Sequence, residues 1–251
     1  MHLIDTHTHP HMEGYKLSTD EFLQKTKDSA VSDIVCIGTN NDDSQRAIEF
    51  ARQNKAWASV GLHPHEASRH REEFLGLKQL LPDEKVVAIG ECGLDYHYLN
   101  SPKEEQKEAL HAQINLAKQH GLPLVFHVRE AFDDFFEVFD MHKGISGVVH
   151  SFTADTATME ACIQRGLMIG VNGIATFAKD PELKRALVDL PLDNLVLETD
   201  APFLTPEPYR GTINHSGNVR VVAEYIATLR GESLDVIAEI TTQNARQLFS
   251  I

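Results

Sequence analysis

Eight short runs rich in apolar and β-branched residues recur along a chain of 251 residues, and longer amphipathic stretches separate them. The runs are His2–His7, Asp33–Thr39, Trp57–His63, Val86–Glu91, Pro123–Val128, Gly147–Ser151, Met168–Gly173 and Leu195–Asp200. Helical patterns lie between them, as in Thr19–Val31, Ser44–Asn54 and Pro102–His120. Strands separated by helices pair in parallel through crossovers. Eight such units in about 250 residues predict an α/β chain folded as a closed (β/α)8 TIM barrel, one domain over residues 1–251. An open doubly wound sheet fits less well, because no GxGxxG loop follows the first run. Ser101-Pro102-Lys103-Glu104 predicts a helix start with a capping box. A last helical stretch, Leu234–Leu248, follows the eighth unit.

Composition bounds the function. With 42% hydrophobic and 24% charged residues, the chain is neither disordered nor collagen-like nor a coiled coil. Lys and Arg number 23 against 37 Asp and Glu, a net charge of −14. No global basic surface draws in nucleic acid or anionic membrane, so any polyanion must be held locally. Cys36, Cys92 and Cys162 form no CxxC, and an odd count argues against a disulfide framework. The opening MHLIDTHTHP lacks the basic and apolar regions of a signal peptide. No apolar run approaches the roughly 18 residues that span a bilayer. The expectation is a cytoplasmic monomer with no membrane partner. The unusual number is the 14 histidines.

Six of the eight runs end in a metal-capable or polar functional residue. These ends are His7 and His9, His63 and His65, Glu91, His127, His150 and Asp200. In a (β/α)8 barrel the C-terminal strand ends ring the active site, so residues far apart in sequence converge. His7 and His9 alternate onto one face of a strand and can clamp one cation, and Asp5 shares that face and could orient an imidazole from behind. Glu91 ends a buried apolar run with no basic partner close in sequence, so ligation fits it better than a salt bridge. His127 and His150 end β-branched or aromatic runs and read as a second ligand pair. Four histidines and two carboxylates exceed what one tetrahedral site requires. They fit two divalent ions, Zn, Mn or, less comfortably, Mg. His63 and His65 read as contacts to substrate oxygens or to the leaving group. Arg129 and Arg210 could each neutralise a phosphate. Tyr96, Tyr98, Phe203 and Tyr209 offer rings for stacking or for packing the loops. Asp95 reads as a residue that shapes the loop after the fourth strand.

These motifs together resemble the TatD family of metal-dependent hydrolases, within the amidohydrolase-like superfamily. The resemblance spans the chain. It rests on Ile4-Asp5-Thr6-His7-Thr8-His9, Val60-Gly61-Leu62-His63-Pro64-His65 and Ala88-Ile89-Gly90-Glu91-Cys92-Gly93-Leu94-Asp95-Tyr96 with Ser101-Pro102-Lys103. His127-Val128-Arg129, His150-Ser151-Phe152 and Leu197-Glu198-Thr199-Asp200-Ala201-Pro202 complete it. It implies a deoxyribonuclease-like phosphodiesterase with a metal pair. His7, His9 and Asp200 would hold one ion, His127 and His150 the other, and Glu91 would bridge them. The family often carries Arg-Gly-x-x-Asn followed closely by Pro after the eighth strand. Here Arg210-Gly211-Thr212-Ile213-Asn214 runs into His215-Ser216-Gly217, with no Pro.

The favoured reading is hydrolysis of a phosphodiester at a DNA end by metal-activated hydroxide, with Asp200 accepting the proton and Glu91 and Asp200 as the catalytic carboxylates. The substrate would be DNA or a short oligonucleotide. The alternatives are a dinuclear hydrolase of a small amide, lactone or phosphoester, and a barrel that binds metal or ligand without catalysis. The last would fit a chain lacking Asp200.

Overall fold

The computed structural model describes residues 2–251. Its strands are β1 (Leu3–Thr8), β2 (Val31–Ile37), β3 (Trp57–Val60), β4 (Val86–Asp95), β5 (Leu124–Arg129), β6 (Gly147–Val149), β7 (Leu167–Val171) and β8 (Leu195–Leu197). They are hydrogen-bonded in chain order from β1 to β8. A parallel bridge from Thr8 to Ala201 joins the end of β1 to the residue after Asp200. This is the (β/α)8 barrel topology that the alternation predicts, with one strand overlapping each predicted run. β4 is the largest departure. It continues four residues past Glu91, because Gly93 stays in the strand instead of ending it.

The chain packs as two compact units. One holds residues up to Val35 together with Ser151–Ile251, and the other holds Cys36–His150. In the first, all six residues of β1 are buried. The helix Leu234–Phe249 starts on a Ser233 cap and buries Ile237, Ala238, Thr241, Ala245 and Leu248, a 3.6-residue stripe. Its Asn244 amide donates to the carbonyls of Leu192 and Leu195, just ahead of and at the start of β8. A full capping box forms at Ser18 and Glu21, where the sequence opens the helix Thr19–Asp28.

In the second unit, the helix Lys103–His120 buries Gln106, Ala109, Leu110, Gln113, Ile114 and Ala117. The capping box expected at Ser101 and Glu104 does not form. Pro102 takes the cap position and has no side-chain acceptor. The Ser101 hydroxyl instead donates to the His65 carbonyl and accepts the Ser68 N–H. Ten consecutive residues of β4 are buried, and its register against β5 shifts between Ile89 and Cys92. The irregularity frees the Glu91 N–H from the β5 ladder, and it donates to Gly38 O at 2.9 Å. Bulges of this kind re-aim a side chain. The packing also needs glycine. A Cβ on Gly93 would sit 1.9 Å from the His127 carbonyl oxygen.

Phe126 on β5 is fully buried, with the Phe135 and Phe139 rings 5.0 and 6.0 Å away. Phe126→Ala should therefore destabilise the protein by about 3–5 kcal/mol. Urea unfolding measures this. A loss under 1 kcal/mol would mean that β5 is not packed as described.

Candidate metal centre

The Cys36–His150 unit gathers imidazoles around two carboxylates. Glu91 Oε1 lies 2.9 Å from His127 Nδ1, 3.2 Å from His150 Nε2 and 3.5 Å from His63 Nε2. Glu91 is only 4% exposed. His127 stands on β5 opposite Gly93, and His150 follows β6 with its N–H on the Phe126 carbonyl. Ligand atoms of His63, Glu91 and His127 lie within 4.8 Å of one another. Burial presses the His127 imidazolium toward the neutral form, but hydrogen bonds to Asp95 and Glu91 outweigh it and raise its pKa. His63 differs. Burial lowers its pKa to about 4 against the pull of Glu91. Its Nδ1 accepts the His65 N–H at 3.1 Å, so the neutral ring carries its proton on Nε2, facing Glu91. His63 is thus a hydrogen-bond donor in this group and has no lone pair to offer a metal from Nε2.

The other unit supplies the first predicted pair. His7 Nε2 and His9 Nε2 lie 3.6 and 3.4 Å from Asp200 Oδ1. Backbone bonds fix this cluster. The Asp200 N–H donates to His7 O at 2.8 Å, and the His9 N–H donates to Ala201 O at 2.7 Å. Asp200 sits at φ +58°, a left-handed conformation that Asp tolerates better than most residues and that is costly elsewhere. Asp5 lies behind. Its carboxylate accepts the Thr199 N–H at 2.9 Å and the Thr199 hydroxyl at 2.6 Å, and it also accepts the His7 N–H. Asp5 thereby ties the segment before Asp200 to the strand that carries His7. Burial lifts its pKa to about 7, although hydrogen bonds from Ser216, Thr199 and His7 oppose the rise.

Both donor sets fit divalent cations. Separations of 3.4 and 3.6 Å are long for hydrogen bonds. They match the ~3.4 Å between two ligands that share one ion at about 2.1 Å in tetrahedral geometry. Imidazole nitrogens mixed with carboxylate oxygens suit Zn or Mn best.

The family model for TatD related DNase matches residues 4–250. The chain belongs to the TatD family. It is 38% identical over 253 residues to the uncharacterized metal-dependent hydrolase YabD of Bacillus subtilis, covering 99% of each chain. It is 36% identical over 242 residues to the 3'-5' ssDNA/RNA exonuclease TatD of Erwinia amylovora, covering 92% of this chain and 93% of that one. The crystal structure of YjjV, a TatD homolog from Escherichia coli, superposes with a TM-score of 0.93 at 30% identity, covering 99% of this chain and 98% of that one.

Within this TatD chain, the remaining expected contacts divide. His65 does not stand free at a mouth, since its Nε2 lies 3.0 Å from Asp95 Oδ2. Arg129 places its guanidinium 4.7 Å from the centre of the Tyr98 ring, and Arg210 lies 4.0 Å over Phe177 while donating to Thr205 O. Tyr98, Phe203 and Tyr209 are about half exposed, and the Tyr96 hydroxyl donates to Asp134. In the loop that departs from the family pattern, Asn214 is fully buried. Its amide donates to the carbonyls of Thr199 and Phe203, one on each side of Asp200. Its Oδ1 accepts the His215 N–H and the Asn218 amide.

Sequence reasoning missed three supports of the site. Asp95 does more than shape a loop, because it also holds His65 and His127. Gln106 clamps the N–H and carbonyl of Asp95, and Gln113 does the same for Leu62, next to His63. The signal was present: two glutamines seven apart on the apolar stripe of one helix are buried polar groups in need of partners.

His215 offers a pH test away from the ligand set. Burial, aided by Lys25, lowers its pKa to about 4, so the folded state resists a proton that the unfolded chain takes up near 6.5. Its contribution is present above pH 6.5, falls between 6.5 and 4, and is fully lost below. His215→Gln should flatten that limb of the stability profile relative to the parent in urea titrations. Parallel profiles would show that His215 is not buried neutral.

Proposed function

We propose that this TatD-family chain is a divalent-metal-dependent nuclease that removes nucleotides from DNA ends. The observation that carries the reading is the pair of imidazole–carboxylate clusters on and just past the strands, His7, His9 and Asp200 in one and Glu91, His127 and His150 in the other. Two ions of Mg, Mn or Zn would supply Lewis acidity and lower the pKa of water. By the family resemblance, Glu91 would serve as a metal ligand. Asp200 is 16% exposed at its side chain, more open than Glu91 at 6%, which suits it to accept the proton of the attacking water. Arg129 and Arg210, both exposed residues, would meet phosphate with the guanidinium edges not used in stacking. His63 and His65, read from the sequence as substrate contacts, would act at most beside their bonds to Glu91 and Asp95.

The relative from Erwinia amylovora is named a 3'-5' ssDNA/RNA exonuclease. The same polarity and a single-stranded substrate are proposed here, and a net charge of −14 agrees with a short local contact in place of a long duplex footprint. We read residues 1–251 as one catalytic domain on the strength of the family match from 4 to 250, acting as a monomer. Three buried cysteines fit a reducing, cytoplasmic setting. Among the described residues, no helix is long and apolar enough to cross a membrane.

End-labelled single- and double-stranded oligonucleotides, digested with Mn²⁺ or Mg²⁺, test the proposal. The parent should shorten single strands from the 3' end and stop when the metal is chelated. Asp200→Asn and Glu91→Ala should each lose about 10²-fold or more. Variants as fast as the parent would refute the assignment of both carboxylates.

A further inference from the structure

Asp95 lies at the end of β4, four residues past Glu91, and its side chain is fully buried. Its two oxygens divide their work. Oδ1 accepts the backbone N–H groups of His97 and Tyr98 at 3.0 and 2.9 Å. Oδ2 lies 3.0 Å from His127 Nε2 and 3.0 Å from His65 Nε2. Gln106 holds the Asp95 backbone from behind, its Oε1 accepting the N–H at 2.7 Å and its Nε2 donating to the carbonyl at 3.0 Å. The carboxylate therefore cannot swing without breaking bonds at both oxygens, and Gln106 pins the backbone that carries it.

We infer that Asp95 is a positioning residue that fixes the His127 ring with Nε2–H on its own carboxylate and Nδ1 toward Glu91, and that holds His65 by the same oxygen. The inference rests on the metal-dependent reading of the site. A carboxylate accepts hydrogen bonds and cannot donate them, so each imidazole nitrogen facing Oδ2 must carry a proton. His127 then has only Nδ1 free to give up its proton, and Nδ1 is the atom 2.9 Å from Glu91 Oε1. Ligating histidines commonly have their other ring nitrogen held by a carboxylate, which sets the tautomer and the ring plane. The loop bearing Tyr98 hangs from the other oxygen, so the same side chain couples ring orientation to loop position.

Asp95→Asn separates positioning from bulk. One amide side chain cannot accept on both sides. Whichever way it turns, its NH2 group faces either the two imidazole N–H groups or the two backbone N–H groups. The experiment is ¹⁵N and ¹H NMR of the ¹⁵N-histidine-labelled full chain loaded with Zn²⁺, with the His127 ring assigned by its absence in His127→Gln. In the parent, His127 should show a protonated Nε2 and a metal-shifted, unprotonated Nδ1. A protonated Nδ1 with unprotonated Nε2 would overturn the inference without using any variant. In Asp95→Asn, the His127 Nε2–H signal should shift or vanish, and Mn²⁺ affinity by titration calorimetry should fall about 10–100-fold. Unchanged ring signals and unchanged affinity in a folded variant would also overturn it. A role limited to ordering the loop would move neither the ring nitrogens nor the metal affinity. Failure here is distinguishable from failure of the nuclease reading, because the parent's digestion of oligonucleotides is measured apart from the ring signals.

Discussion

A carboxylate buried within a β-strand is costly unless its oxygens find partners, and Glu91 on β4 is such a carboxylate. Its solution is a set of imidazoles, His127, His150 and His63, within 2.9–3.5 Å of one oxygen. That requirement explains the local backbone. The irregular register of β4 at Glu91, the N–H passed to Gly38, and the close approach at Gly93 all serve to turn one side chain. The histidine ends of β5 and β6 matter because of where this oxygen sits.

A group that collects charged or ionisable side chains must be held rigidly, and His63, His150 and Asp200 stand just past their strands. Buried polar side chains take over. Gln106 and Gln113 grip the backbone at Asp95 and Leu62 from one helix. Asp5 and Asn214 grip the segment around Asp200, Asp5 through Thr199 and Asn214 through the carbonyls of Thr199 and Phe203. Each is buried and hydrogen-bonded, as such groups must be. The departure from the family pattern after Arg210 leaves this arrangement in place, because Asn214 makes the bonds and the missing proline lies beyond it. His215 lies close to Gly217 and within electrostatic reach of Lys25.

Much of this was legible in the chain. The alternation of apolar runs with helical stretches specifies parallel strands with crossovers, and the barrel follows from their number. Strand-end histidines and carboxylates specify the donor sets, because their placement at the ends of buried runs is independent of what comes between. Strand limits were less legible. Gly93 reads as a terminator by propensity, yet it continues β4 because only glycine fits against the His127 carbonyl. The Ser101 cap failed for a similar reason, since a tertiary partner, the His65 carbonyl, competes for the hydroxyl. The role of Asp95 was hidden because it depends on which ring nitrogens face it, and that is set by three-dimensional geometry across β4, β5 and the segment after β3.

The acidity of the chain takes its meaning from this site. A net charge of −14 repels a polyanion at long range, so any phosphate would need positive charge supplied locally, by bound cations or by guanidiniums such as Arg129 and Arg210. The central proposal is that two imidazole–carboxylate sets would each hold an ion. Crystals soaked in Mn²⁺ and measured for anomalous scattering test it most directly. The account predicts two peaks per chain, one against His7, His9 and Asp200 and one against Glu91, His127 and His150. A single ion, or two ions of which neither contacts Glu91, would contradict it.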